Sequence, residues 1–242
     1  MRIAVISDVH SNLHALEAVL AEADAAGVDE LWCLGDLVGY GPRPNECVDL
    51  LRERTAICLA GNHDQVVLGK IALAAFAGEA ATAAAWTRTV LDEDARGFLN
   101  GLEPRGERPG VELFHGSPRD PIWDYVLSED AARRSFAATT APLVLVGHSH
   151  VALELAADGS AVRGGQAAPG ATVELGPGRR LLNPGSVGQP RDGDPRAAWL
   201  EVDLSAGRAT FRRTDYPVER TQAEMRERGL PELLAARLEH GL

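Results

Sequence analysis

Apolar and polar positions alternate in a two-part pattern through the first 150 residues: a short apolar run, then a segment with helical spacing. Residues 2–6 (RIAVI) are β-branched and apolar and stop at Ser7-Asp8, as a buried strand does. Leu13, Leu16, Val19 and Leu20 then share one helical face, with Ser11 or Asn12 available as the cap and Gly27 placed to end the helix. The pattern repeats with LWCL at 31–34, a turn-rich GDLVGYGPRP, a helix from Pro44 through Leu51, and AICLA at 56–60 ending on GNHD. Residues 65–103 are Ala-rich and predict two or three helices, one started by Asp92-Glu93-Asp94. A strand at 111–116, a helix at 128–138 capped by Ser128, and a strand at 143–150 follow. This alternation predicts βαβ units and a largely parallel sheet.

After residue 150 the period changes. Short alternating runs at 151–155, 171–175, 180–183, 197–203 and 208–213, separated by Gly, Pro and Asp, predict antiparallel strands forming a second sheet packed on the first. Residues 217–238 are polar and helical in period, with a break at Gly229-Leu230-Pro231. There is no internal repeat, and no low-complexity linker between residues 150 and 200. The expectation is therefore one α/β domain over residues 1–242, a four-layer αββα sandwich of two stacked mixed β-sheets flanked by helices.

The polar residues that end the apolar runs carry the chemistry. Five runs end in groups that bind metals: Asp8-x-His10, Asp36, Asn62-His63-Asp64, His115 and His148-x-His150. In parallel α/β sheets, residues at the carboxyl ends of strands converge at one edge, and five of the seven histidines lie at such ends. The donors are carboxylate, imidazole and amide, without thiolate, which suits Mn, Fe, Zn, Co or Ni better than a structural zinc clamp. A carboxylate such as Asp36 can bridge two cations about 3.5–4 Å apart, and such a pair clamps the attacking and leaving oxygens of a phosphoryl group. Coordination brings the pKa of bound water to roughly 7, so a metal-bound hydroxide serves as nucleophile without a serine or cysteine.

These five motifs, in this order, resemble the calcineurin-like metallophosphoesterase superfamily over residues 1 to about 190, most closely its compact prokaryotic members. The stretch NPGSVGQPR from Asn183 to Arg191 adds to the similarity. The resemblance implies two divalent transition-metal ions, manganese the first choice. Asp8, His10, Asp36 and His150 would hold one, and Asp36, Asn62, His115 and His148 the other. It implies that His63 faces the substrate, where it can stabilise phosphoryl oxygens or protonate the leaving group. The activity it implies is phosphoester hydrolysis, by expectation on diesters, with monoester or nucleotide-anhydride hydrolysis as alternatives. A protein-binding scaffold of the same fold, as in a related retromer subunit, would show missing ligands, and none is missing here. A nucleotide sensor without turnover shares the ligand set.

Around these motifs, Asp64 either orients a ligand or caps the following helix, and Gly35, Gly61, Gly116 and Gly147 suit tight turns close to the ions. Arg43, Arg119 and Arg191 lie in adjoining loops, where each either holds a substrate phosphate or is solvated. Trp123 and Tyr125 either stack on a base or aryl group or anchor a hydrophobic lid. His14 and His240 read as packing or surface residues.

Charge and cysteine content narrow the partners. A formal net charge of −11 disfavours non-specific nucleic-acid binding, although bound cations can reverse the field locally for a small phosphorylated substrate. Cys33, Cys47 and Cys58 form no C-x-x-C pair and read as free, packed thiols. With no signal peptide and no membrane-length apolar stretch, the expectation is a cytoplasmic protein.

Overall fold

The computed structural model describes residues 1–159 and 161–242. Its first half alternates as the pattern predicts: β1 (Arg2–Ile6), α1 (Leu13–Ala26), β2 (Glu30–Cys33), α2 (Pro44–Arg54), β3 (Thr55–Cys58) and α3 (Asn62–Leu68). Two further helices, α4 (Gly78–Val90) and α5 (Glu93–Asn100), precede the hairpin of β4 (Arg105–Arg108) and β5 (Val111–Phe114). Helix α6 (Glu129–Ala137) and β6 (Leu143–Val146) lead into six strands: β7 (Ala152–Asp158), β8 (Ala161–Gln166), β9 (Thr172–Glu174), β10 (Arg179–Pro184), β11 (Ala197–Asp203) and β12 (Arg208–Thr214). The chain closes with α7 (Val218–Glu227), α8 (Glu232–Ala236) and a 3₁₀ turn at Arg237–Glu239.

Local chemistry sets the helix limits. Asn12 caps α1 through a hydrogen bond accepted from the Ala15 amide, and Gly27 ends it with φ of 67°. Asp92 and Ser128 cap α5 and α6 in the same manner. Such caps contribute about 1 kcal/mol each.

Two six-stranded mixed sheets stack face to face, in the orders β3-β2-β1-β11-β12-β9 and β4-β5-β6-β10-β7-β8. The period-two geometry of β1 shows how the layers form: Ile3 and Val5 join the core between the sheets, while Ala4 and Ile6 join the core under the helices. In β6, Leu143 and Leu145 face inward, while Val144 and Val146 pack with Ala132 and Phe136 of α6. Strands buried on both faces read as unbroken apolar runs for this reason. The αββα architecture matches the expectation. Among the described residues, no helix is long and apolar enough to cross a membrane.

Three details differ from the sequence reading. The later strands do not form a sheet of their own: β11, β12 and β9 extend the sheet begun by β1–β3, and the others join β5 and β6. β10 is antiparallel to β7 but parallel to β6, so the late strands are not all antiparallel. β4 (RGER) and β8 (AVRGGQ) are strands without the expected alternation, because edge strands with exposed residues depend on backbone pairing alone.

Candidate metal centre

The carboxyl ends of β1, β2, β3, β5 and β6 meet at one end of the stacked sheets and bring the strand-end residues together. Asp8, His10, Asp36, Asn62, His115, His148 and His150 are all at most 3% exposed. One ligand atom each from Asp8, His10, Asp36 and His150 lie within 4.8 Å of one another, and a second group of the same compactness joins Asp36, His115 and His148. Asp36 belongs to both. Its Oδ2 lies 3.6 Å from His10 Nε2 and 3.5 Å from His115 Nε2, between the two groups.

The backbone is bent to achieve this. Asp8, His10, Asp36, His148 and His150 adopt φ between 48° and 64°, a left-handed conformation that costs a side-chain-bearing residue roughly 1–2 kcal/mol. Strain of this kind persists only where surrounding bonds over-determine the loop. Here the Asp8, His10 and Ser11 amides donate to the carbonyls of Gly35, Asp36 and Leu37, each at 3.0 Å, and this tie joins the two loops. Ser186 Oγ and the Gly188 amide both donate to Asp8 O, and Asn183 Nδ2 donates to Gly147 O, so the NPGSVGQPR segment braces the loops from beneath. Gly35 has φ of 104°, and a Cβ there would sit 2.7 Å from the Gly61 amide, so the close approach of these two turns requires glycine.

Hydrogen bonds also decide which way the imidazoles point. His10, His115 and His150 each direct Nδ1 at a backbone carbonyl, of Val38 (3.1 Å), Leu34 (3.0 Å) and Gln189 (2.6 Å). A carbonyl only accepts, so Nδ1 carries the proton and Nε2 presents a lone pair to the centre. Two such lone pairs, of His10 and His150, face each other at 3.0 Å, and His115 Nε2 faces Asn62 Oδ1 at 3.0 Å. Asp8 Oδ1, Asp36 Oδ2 and His148 Nε2 are buried without a hydrogen-bond partner. This is a concentration of electron-pair donors without protons between them, and two cations would satisfy all of them.

The electrostatics agree. Burial, with the charges of Asp64 and Asp8 adding to it, pushes the Asp36 carboxyl well above the usual range. Burial also lowers all four imidazoles, His148 to about 3, so the histidines bring no positive charge at neutral pH. Among the described residues, neither Asp8 nor Asp36 pairs with a lysine or arginine.

The other candidates fall into place around this centre. His63, in the first turn of α3, has its ring 4.8 Å from His10, 4.4 Å from Tyr40 and 4.4 Å from Phe76, and burial holds it well below the ordinary histidine pKa. Asp64 caps α3, with Oδ2 accepting from the Gly61 amide, and its Oδ1 accepts from the Val38 amide in the loop that carries Asp36. Arg191 reaches the centre, since its amide donates to His150 O and its Nη2 to Gln189 Oε1 at 2.8 Å, with Tyr40 Oη at 3.3 Å. Arg43 is instead held by Glu224 (2.7 Å) and Glu46 (3.1 Å), and Arg119 lies 3.7 Å from Asp124. A substrate phosphate would have to displace a carboxylate at either. His14 joins the Arg43–Glu224 pair through Glu224, and His240 is exposed. Tyr125 stacks on His148 at 4.0 Å, and Trp123 is 38% exposed beside it. Tyr40 and Phe76 escaped the sequence reading, although Tyr40 stands inside the GDLVGYGP motif.

Comparison with known proteins identifies the family and the fold. Residues 1–205 match the model of the calcineurin-like phosphoesterase superfamily domain. The crystal structure of a metallophosphoesterase from Sphaerobacter thermophilus is 44% identical, covers 100% of both chains, and superposes with a TM-score of 0.91. An uncharacterized protein of Methanocaldococcus jannaschii is 37% identical over 98% of this chain and 96% of its own. A hypothetical protein of Pyrococcus horikoshii, 20% identical over 100% of this chain and 98% of its own, shares the fold with a TM-score of 0.79.

Proposed function

The chain belongs to the calcineurin-like phosphoesterase superfamily, and from that premise we propose that it is a dinuclear metal-dependent hydrolase of phosphoester bonds, acting by preference on diesters. The observation that carries the reading is Asp36 Oδ2, a buried, unpartnered carboxylate oxygen set between His10 Nε2 and His115 Nε2. Asp8, His10, Asp36 and His150 would hold one ion, and Asp36, Asn62, His115 and His148 the other, with manganese the first choice for this nitrogen and oxygen set. When bound, such a pair supplies Lewis acidity and a water of lowered pKa.

The chain's own groups do the rest. Arg191, which unlike Arg43 and Arg119 has no carboxylate partner, steadies a phosphoryl oxygen. His63 stands neutral near it, and the negative charge of the bound substrate raises its pKa so that it can pass a proton to the leaving oxygen. Trp123 and Tyr125 offer an exposed aromatic rim for the second esterifying group of a diester, which a monoester lacks. A cytoplasmic location goes with this reading, supported by the three free cysteines Cys33, Cys47 and Cys58.

The test compares bis(p-nitrophenyl) phosphate with p-nitrophenyl phosphate on metal-stripped protein reloaded with Mn, Fe, Zn, Co or Ni. The diester is expected to show a kcat/KM about tenfold higher with manganese. Preference for the monoester would reassign the substrate class, and turnover of neither would remove the hydrolase reading.

A further inference from the structure

The C-terminal segment closes on the metal centre from the side of His10. Met225, Leu230, Leu234 and Leu238 pack with Tyr40 in one apolar cluster, and the Tyr40 ring lies 4.6 Å from His10 and 4.4 Å from His63. Arg237, next to Leu238 in the last 3₁₀ turn, lies beyond the residues that match the family domain.

Arginine in this acidic chain is ordinarily paired with carboxylate: Arg2 with Glu201, Arg43 with Glu224, Arg54 with Asp24, Arg196 with Asp194 and Arg213 with Asp192. Others, such as Arg88 and Arg179, bond backbone carbonyls instead, and among the described residues only Arg191 and Arg237, both beside the Tyr40 cluster, bury a guanidinium nitrogen with no partner. Arg191 extends over the Tyr40 ring, with the guanidinium carbon 5.7 Å from the centroid, and has only the Gln189 amide oxygen and the Tyr40 hydroxyl as side-chain partners. The Arg237 guanidinium has neither a hydrogen bond nor an ion pair among the described residues. The Nε of each arginine is buried without a partner. Burial and then the charge of Arg191 lower the Arg237 pKa, which means that the two cations stand within electrostatic reach and repel. Glu79 also acts on Arg237, from beyond ion-pair distance. Two guanidiniums near Tyr40 without an ion pair are unfavourable unless an anion joins them, and each fork matches the oxygens of a phosphoryl group.

We propose that Arg237, together with Arg191 spanning both groups, forms an anion subsite for a second phosphoryl group next to the one that is attacked, making the substrate an organic pyrophosphate whose attacked phosphorus carries two substituents, as a diester's does. The inference rests on the hydrolase reading for the placement of the first phosphoryl group. Adjacency follows from Arg191 itself, whose backbone amide donates to the carbonyl of His150 at 3.1 Å, anchoring this arginine beside a proposed ligand.

The test uses two probes that cannot be hydrolysed, methylphosphonate with one phosphoryl group and methylenediphosphonate with two, titrated calorimetrically into full-length manganese-loaded protein at fixed free manganese. Wild type is expected to prefer the diphosphonate by about tenfold or more, and Arg237→Gln to reduce that preference to about twofold. Arg237→Lys, which keeps the charge on an unbranched stem, should retain part of it. No preference in wild type, or one that survives Arg237→Gln, would overturn the subsite. A lysine variant as poor as the glutamine variant would assign the effect to packing of the C-terminal segment and overturn it too. Hydrolysis of bis(p-nitrophenyl) phosphate by the same wild-type preparation keeps the two readings apart. Turnover without a diphosphonate preference removes the subsite alone, and the preference without turnover removes the hydrolase reading alone.

Discussion

Asp36→Asn is expected to empty both metal positions together and to slow diester hydrolysis by about 10³-fold or more, equivalent to roughly 4 kcal/mol of transition-state stabilisation. The expectation follows from one oxygen: Asp36 Oδ2 stands 3.6 Å from His10 Nε2 and 3.5 Å from His115 Nε2, and is the only carboxylate in both candidate ligand groups among the described residues. An amide keeps the shape and removes the negative charge that two cations would share. Asp8→Asn is the control, because Asp8 belongs to one group only and should lose one ion. Loss of a single ion from Asp36→Asn, counted by elemental analysis, would take the bridging role from Asp36. The same variant carries a stability signature. Asp36 has a folded pKa raised above its unfolded value, so a protonated Asp36 favours folding at low pH and that advantage is lost as pH rises through the folded pKa. At pH 7 the metal-free wild type bears the cost of a buried carboxylate that the asparagine variant does not. Metal-free Asp36→Asn should therefore melt above metal-free wild type, while metal-loaded wild type melts above both.

His63→Gln is expected to keep both ions and to separate substrates by their leaving group. A nitrophenolate departs unaided, whereas an alkoxide of high pKa needs a proton, and general acid catalysis contributes about 10²–10⁴-fold where it is needed. An alkyl ester should therefore slow by about that factor, and a nitrophenyl ester much less. His63 sits in the first turn of α3 with Nδ1 buried and unpartnered, its ring against His10, Tyr40 and Phe76. Burial keeps it neutral in the empty site, so the acid role depends on the substrate's negative charge. Equal losses on both esters would leave His63 as an electrostatic stabiliser of phosphoryl oxygens, since that charge develops in either transition state. Loss of metal would instead make His63 a ligand.

The site was more legible in the sequence than the sheets that carry it. Asp8, His10, Asp36, Asn62, His115, His148 and His150 each follow an apolar run directly, so the strand-end rule alone gathers them. Sheet membership depends on pairing between distant segments: β11 lies against β1 although nearly 200 residues separate Val5 from Leu200, and no local pattern encodes that choice. β4 and β8 escaped because charged and glycine-rich edge strands bury too little to alternate. Of the two readings of Asp64 the cap is the one the structure shows, and the second oxygen braces the backbone of the loop that carries Asp36. Arg43 and Arg119 looked equivalent to Arg191 in their loops. What separates them is a carboxylate from elsewhere, Glu224 on α7 for Arg43 and Asp124 for Arg119. Arg237 gave no local signal at all, since only the packing of Leu238 beneath Tyr40 brings its turn to the centre.

The central claim, that two ions held by these residues make the chain a phosphoesterase, is tested most directly by titrating manganese into metal-stripped protein while bound metal and bis(p-nitrophenyl) phosphate hydrolysis are read together. The predicted result is no turnover without metal, a rise with binding, and a plateau at about two ions per chain. Full activity in metal-free protein, or a plateau reached with no manganese bound, would contradict it.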